Sequence, residues 1–466
     1  MLTRLKVRGF KSLEDIEVRF GPFTCVAGVN GVGKSNLFDA IMFLRDLADT
    51  SIIDAATRIR NSDRRRINLS ALFTRTASVQ ATLMEFEVDF LVGDKVVDDF
   101  GREGKPKVTY LQYKLGLRYV PASGARPEGI ELAHESLDFV PKGDAKRQLG
   151  FPVSQEFFES IYQGSSRSDF IYIDKENSLI AKVRQDGGSS GQPISIPIER
   201  AERTILSNIN TIDRPTALAA RREMQSWINL QLESSSLRKP DDFSAIGRVS
   251  PTGEHLPATL HRLKKFDAVA AQLANLLPDI KSLDVDIDER RELKTLYLET
   301  VSGIRHEARA LSDGTLRFLA LAIIGADPEA GGVICLEEPE NGIHPARIPA
   351  IVSLLDDMAV DPQYAIGPDN PLRQIIINTH SPLVIQKLQT QSIIVSQAYK
   401  SDGASLSLFC PILGTWRTKA NFQEEEASVT FGALLDYLGP AEEDEDVTPG
   451  KESVGQLFHQ LEIDCR

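Results

Sequence analysis

Cysteine is scarce in this 466-residue chain, with four in all, at positions 25, 335, 410 and 465, and no Cys-x-x-Cys pair. That spacing excludes a disulfide framework and a cysteine-built zinc site. Long hydrophobic runs are missing too. The longest apolar stretch, around Phe318 to Ala326, falls short of the roughly 18 residues that a spanning helix needs. The chain opens directly on a β pattern with no secretory leader before it, so a cytoplasmic protein without membrane association is expected. No heptad pattern is sustained, which argues against a long coiled coil, and there is no internal repeat.

An excess of positive charge is also lacking: the formal net charge is -13. The distribution matters more than the total. Residues 424–466 hold twelve acids against two bases (Lys451 and Arg466), a net of -10, so the other 423 residues carry only -3. Arg58, Arg60, Arg64, Arg65 and Arg66 form a basic cluster interrupted by Asp63. The body therefore has room for DNA contact, against the plainer reading of a solvated loop and an acidic tail. Hydrophobic residues at 42% and charged residues at 26% suit an ordinary soluble core, and the length suits two to four domain-sized units.

Alternation of polar and apolar residues over 3–8 and 15–20 predicts two half-buried strands, with Gly9-Phe10-Lys11-Ser12 as the turn between them. Phe23 to Ala27 reads as a short buried strand, and Ser35 to about Leu47 as a helix. Residues 79–92 and 108–120 alternate again, as in an antiparallel hairpin-like sheet. The stretch 121–200 is weakly patterned, whereas 201–235 and 257–277 carry helical periodicity. Strand signals return at Leu283 to Ile287, Leu293 to Val301, Gly332 to Leu336, Gln374 to Asn378, Ser392 to Val395 and Leu406 to Leu408. Residues 440–452 read as a disordered linker, with a short closing helix at about 452–463.

Between the buried strand and the first helix lies Gly28-Val-Asn-Gly-Val-Gly33-Lys34-Ser35, which fits G-x-x-x-x-G-K-[ST]. Glycines let consecutive backbone N–H groups turn towards phosphate oxygens, and the helix that follows favours anions at its N-terminus. Lys34 can bridge the β- and γ-phosphates, and the Ser35 hydroxyl suits Mg2+, a hard ion that takes oxygen ligands. Such a match arises by chance in about one in a hundred chains of this length. The strand-loop-helix context sharpens it against an ordinary glycine turn.

A second motif is Val333-Ile334-Cys335-Leu336 ending in Glu337-Glu338. A buried strand that delivers two carboxylates at its C-terminal end is a Walker B arrangement. Side chains alternate along a strand, so the two acids point differently. Glu337 is assigned to Mg2+, and Glu338 to the attacking water as general base. Alone, the pair reads equally well as solvated acids at a strand end. Cys25 and Cys335 read as core fillers.

Three further motifs follow in order and carry a family resemblance. Leu311-Ser312-Asp313-Gly314-Thr315 resembles the ABC signature. Pro339-Glu340-Asn341-Gly342-Ile343-His344-Pro345 resembles the D-loop of ABC-type ATPases related to RecF, SMC and OLD proteins. Ile375-Ile376-Ile377-Asn378-Thr379-His380-Ser381-Pro382 resembles their strand and switch histidine, and Gly9-Phe10-Lys11-Ser12 is similar to the opening of RecF and SMC heads. These matches bracket about 1–50 and 305–385, and the chain is identified as similar to the bacterial AAA-family ATPase group of the ABC type.

The resemblance implies an α/β fold: an ABC-type ATPase head with a mixed sheet, an antiparallel β subdomain and an inserted helical arm. The expected organisation is 1–200 and 283–440 as two halves of the head, 201–282 as the arm and 441–466 as an acidic tail. It also implies ATP and Mg2+ as cofactors, with Lys34, Glu338 and His380 catalytic and Ser35 and Glu337 on the metal. The nucleotide-binding set is Lys11, Asn30, Gly31, Val32, Gly33, Lys34, Ser35 and Asn36, joined by Ser312, Gly314 and Thr315 from a second copy in a head-to-tail homodimer or higher oligomer. Asp313 in place of glycine and Glu337 in place of the commoner aspartate are departures. Gln80 and Gln112 compete for the Q-loop position.

Transport fits poorly, because Lys34 and Glu337 lie 303 residues apart and the signature lacks Gly-Gly-Gln. OLD proteins resemble this chain but carry a Toprim nuclease after the switch histidine. Residues 391–466 show no Glu plus Asp-x-Asp pattern on strands. The expectation is an ATP-driven switch for a separately encoded effector such as a nuclease, in anti-phage defence. The alternatives are a RecF-like DNA-repair ATPase and a catalytically weak scaffold.

Overall fold

The computed structural model describes residues 1–59, 68–124, 127–174, 176–177, 179–187, 191–245, 247–419 and 428–438. Arg60, Arg64, Arg65 and Arg66 of the basic cluster, most of the acidic tail, the 452–463 helix and Cys465 lie outside them. The chain divides into two units. One comprises Met1–Trp227, Pro362–Ile366 and Gln389–Arg466, the other Ile228–Asp361 and Gly367–Leu388.

The first unit is built on an eight-stranded antiparallel sheet. Its order is Ile194–Pro197, Ile180–Val183, Ile171–Ile173, Gly129–Phe139, Tyr110–Val120, Leu83–Leu91, Leu2–Phe10, Leu13–Arg19. The alternation seen in the sequence sets the register. Val7 stands opposite both Ile16 and Phe86, and Phe86 opposite Leu115, so one face is a continuous apolar layer. That layer receives the helix Lys34–Leu47. Phe43 stacks on Phe10 with ring centroids 5.8 Å apart and meets Phe86 edge-on at 5.9 Å. The predicted hairpin-like sheet is thus four strands wider on one side, because the weakly patterned 121–200 segment supplies Gly129–Phe139 and the three strands beyond it.

Polar residues hid that strand. Glu135 is buried, and accepts from the Ile205 and Leu206 N–H groups at 2.6 and 2.8 Å and from the Tyr113 hydroxyl at 3.0 Å. Burial pushes its carboxyl up to about 7. The same unit contains Phe23–Ala27, which pairs in parallel with Ile393–Ser401. That strand turns back into Ala404–Pro411 as an antiparallel pair.

The second unit holds three parallel strands, Ile228–Leu230, Gly332–Glu337 and Arg373–Thr379, with Ile334 opposite Ile375 and Glu337 opposite Asn378. Helical periodicity over 201–235 is only partly realised. The helix is Pro215–Gln225, and Ile228–Leu230 is a strand, since three apolar-edged residues carry no usable period. Helices Asp313–Ala326 and Ile348–Met358 belong to this unit. Their C-terminal ends are tied by one buried side chain. Arg373 donates to the carbonyls of Gly325 at 3.1 Å, Asp327 at 2.6 Å and Met358 at 3.4 Å, satisfying acceptors that the helices leave open. Burial lowers its guanidinium pKa to about 10. Strands Ile280–Asp288 and Leu293–Thr300 form an antiparallel pair, with the helices Leu256–Leu263 and Phe266–Leu276 preceding them. Cys25 and Cys335 are fully buried, and burial raises the Cys335 thiol far above its usual range, as suits core filling.

Candidate nucleotide site

The glycine-rich loop leaves the buried strand and re-enters helix at Lys34. Gly33 sits at φ 93°, in the left-handed region, and puts no capping side chain over the helix N-terminus. A Cβ there would lie 1.9 Å from Ser407 Oγ and 2.8 Å from Ser12 Oγ, so glycine is required on two counts. Gly28 is needed for space alone: its Cβ would stand 2.4 Å from the Ser396 carbonyl oxygen. Lys34 curls back over the loop, its ammonium donating to the carbonyls of Gly28 at 2.6 Å and Val29 at 2.7 Å. A lysine folded over a glycine-rich loop that opens a helix is a fit for a polyphosphate.

Behind the loop stands a serine pair that sequence reading did not single out. Ser12 Oγ and Ser407 Oγ are 2.6 Å apart, Asn36 Nδ2 donates to Ser12 Oγ at 2.7 Å, and the Ser407 N–H donates to the Ser12 carbonyl at 2.9 Å. The opening turn is Lys11-Ser12 alone, since Gly9 and Phe10 belong to the strand Leu2–Phe10, and it is tied through Ser12 to Asn36 in the first turn of the helix that follows the loop. Lys11, expected in the nucleotide set, has φ 48° and pairs with Asp39 at 2.8 Å, along the side of the same helix. Neither Q-loop candidate is spare. Gln80 donates to the Ser70 carbonyl at 3.1 Å, and Gln112 to Asp89 at 2.8 Å within the antiparallel sheet.

In the second unit, the parallel register places the end of the acidic strand Gly332–Glu337 beside that of the switch strand Arg373–Thr379. Asn378 organises the junction. Its side-chain amide donates to Glu337 Oε2 at 3.4 Å, and its carbonyl and Oδ1 accept the Glu338 N–H at 3.0 and 3.1 Å. Glu338 adopts φ 45°, a conformation costing an L-residue about 1–2 kcal/mol. Its carboxylate accepts from His380 Nδ1 at 2.8 Å and from Asn341 Nδ2 at 3.3 Å. Both Glu338 and His380 remain partly exposed. The base and the switch histidine assigned from sequence are thus hydrogen-bonded to each other, and His380 is not a buried core histidine. Backbone strain at a carboxylate held from several sides marks a position set by more than packing.

The signature segment is the N-terminus of the helix Asp313–Ala326. Ser312 caps it, accepting the Thr315 N–H at 3.2 Å and sharing a hydrogen with Thr315 Oγ1 at 2.9 Å. Gly314 has open space around its Cα. Asp313 pairs with Arg238, which draws its carboxyl pKa down, so this substitution for glycine is anchored within its own unit. Further along the helix, Arg317 donates to the Asn341 carbonyl at 2.7 Å and ties the signature helix to the Glu340-Asn341-Gly342 turn.

A family model described as "AAA domain, putative AbiEii toxin, Type IV TA system" matches residues 172–386, and a second AAA domain model matches residues 4–75. The OLD nuclease of Thermus scotoductus is 49% identical over 41 residues, a stretch that is 9% of this chain and 8% of that relative. Among solved structures, an SMC head bound to the C-winged helix domain of ScpA is 16% identical, with 88% of this chain and 97% of that one covered at a TM-score of 0.49. The SMC head domain from Thermotoga maritima is 13% identical, with 88% and 98% covered at 0.40. The two AAA models fall on the segments that hold the phosphate loop and the acidic and switch strands, so the chain is similar to AAA-domain ATPases over both of those segments and, over one short stretch, to the OLD nuclease.

Proposed function

We propose that this chain binds and hydrolyses ATP with Mg2+, and that it works as a nucleotide-switched dimer regulating a separate effector in anti-phage defence. The observation that carries the hydrolytic reading is the Glu338–His380 hydrogen bond at the ends of two parallel strands. A histidine donating to one carboxylate oxygen fixes its orientation, and the other oxygen, which accepts from Asn341 Nδ2 at 3.3 Å, has a further lone pair to take a proton from water. Lys34 and the N–H groups from Asn30 to Ser35 would hold the phosphates, with Asn36 keeping the loop in register through Ser12. The Ser35 hydroxyl and the Glu337 carboxylate are hard oxygen donors and fit Mg2+. When bound, the ion neutralises charge on the phosphate oxygens. Ser312, Gly314 and Thr315 begin a helix, and in a head-to-tail pair this end would face the partner's γ-phosphate.

The regulatory part rests on the family description, which names a toxin–antitoxin system, and on a relative named as a nuclease. A two-state dimer that closes with ATP and opens after hydrolysis gives an effector something to read. The test is solution mass by light scattering, with ATP and with ADP. ATP is expected to double the mass for the wild type and to leave Ser312→Ala monomeric. A mass that ignores nucleotide would contradict the dimer. Adding duplex DNA separates the two biological readings: a rise in turnover on DNA replaces the effector switch with a RecF-like DNA sensor.

A further inference from the structure

We infer that Glu340 is a positioning residue for the switch histidine, acting through Thr379; this rests on the roles proposed above for Glu338 and His380. Glu340 is largely withdrawn from solvent on the turn after the acidic strand. One carboxylate oxygen accepts from Thr379 Oγ1. The other is buried and meets no hydrogen-bond partner among the described residues. A carboxyl satisfied on one side only costs stability compared with an apolar side chain of similar size, so packing alone gives no reason for it. Burial, the largest influence, holds this carboxyl above the usual range.

The contact has a direction. Thr379 Oγ1 donates to Glu340 and accepts the Ser381 N–H at 2.9 Å, so the bond to Glu340 locks the Thr379 rotamer that in turn holds the next backbone turn. Successive side chains of an extended segment alternate. Asn378 and His380 face Glu337 and Glu338, whereas Thr379 faces Glu340. The end of the switch strand is gripped on opposite sides by the two glutamates flanking Pro339. Glu338 holds the imidazole, and Glu340 fixes the backbone from which the imidazole projects. Without Glu340, the Thr379 hydroxyl can rotate, Ser381 loses its acceptor, and His380 leaves the strand along a less defined path.

Four variants test this: Glu340→Ala, Glu340→Gln, Thr379→Val and Thr379→Ser. Gln and Ser keep the acceptor and the hydroxyl, so Glu340→Gln and Thr379→Ser should hold the wild-type kcat to within about two-fold. Glu340→Ala and Thr379→Val should lose about ten-fold or more in kcat with KM for ATP changed by less than about two-fold, as expected when a group is misplaced rather than binding lost. Hydrogen exchange of the peptide carrying Ser381 should quicken in the Ala and Val variants and not in the other two. Wild-type kcat and wild-type protection in Glu340→Ala would overturn the proposal, as would equal shifts of kcat, KM and unfolding midpoint, which mark general destabilisation. A wild type with no turnover would sink the ATPase reading instead, and the exchange pattern would then decide the role of Glu340 by itself.

Discussion

Glu338→Gln should lower ATP turnover by about a hundred-fold or more while leaving ATP binding close to the wild-type level. General-base contributions of this kind run to about 10²–10⁴-fold. The amide matches the carboxylate in shape, and the Glu338 N–H keeps both of its bonds to Asn378, so the backbone at φ 45° is retained. What disappears is the capacity to take a proton and the charge-assisted bond from His380. With hydrolysis blocked, the ATP-bound dimer should accumulate and be visible as a stable species of twice the mass. Steady-state turnover and light scattering on the same sample check both parts. A turnover within about three-fold of wild type would move the base elsewhere.

Gly33→Ala should abolish measurable ATP binding and destabilise the first unit by about 2–5 kcal/mol. Two costs combine. An L-residue at φ 93° is strained by about 1–2 kcal/mol, and forcing a methyl into filled space costs about 1–3 kcal/mol more. The clash falls on Ser407 Oγ at 1.9 Å and Ser12 Oγ at 2.8 Å. Relief would push the phosphate loop away from the serine pair that seats it. Ser407→Ala removes the nearest atom, so the double variant should recover part of the stability. The φ strain persists, and ATP binding should stay weak. Denaturant unfolding and nucleotide binding on the single and double variants measure this. Unchanged stability in Gly33→Ala would show that the loop is not seated as described.

The elements that position the site were readable wherever a local signal existed. Phe23 to Ala27, the loop from Gly28 and the helix after it announce themselves by glycine spacing and apolar runs, as do the strands that end at Glu337 and Thr379. What escaped has long-range causes. Ser12 and Ser407 are bonded across 395 residues, and a serine in a turn or a strand gives no hint of a distant partner. Glu135 interrupts the alternation of Gly129–Phe139 because its charge is satisfied by two N–H groups around residue 205. Ile228–Leu230 is too short to show a period and is a strand only because Gly332–Glu337 lies beside it. Glu340 looked like one letter of a loop motif, and its buried, half-satisfied carboxyl is a property of three-dimensional placement alone.

The measurement that bears most directly on the central claim is Mg2+-dependent ATP turnover of the purified chain against Lys34→Ala. Lys34 is held over the loop by the Gly28 and Val29 carbonyls, and its replacement removes the cation meant for the phosphates together with its bonds to those two carbonyls. The account predicts that the wild type releases phosphate, that chelating Mg2+ stops it, and that Lys34→Ala loses about a hundred-fold or more. A wild type without turnover, or a Lys34→Ala variant as active as the wild type, would contradict it.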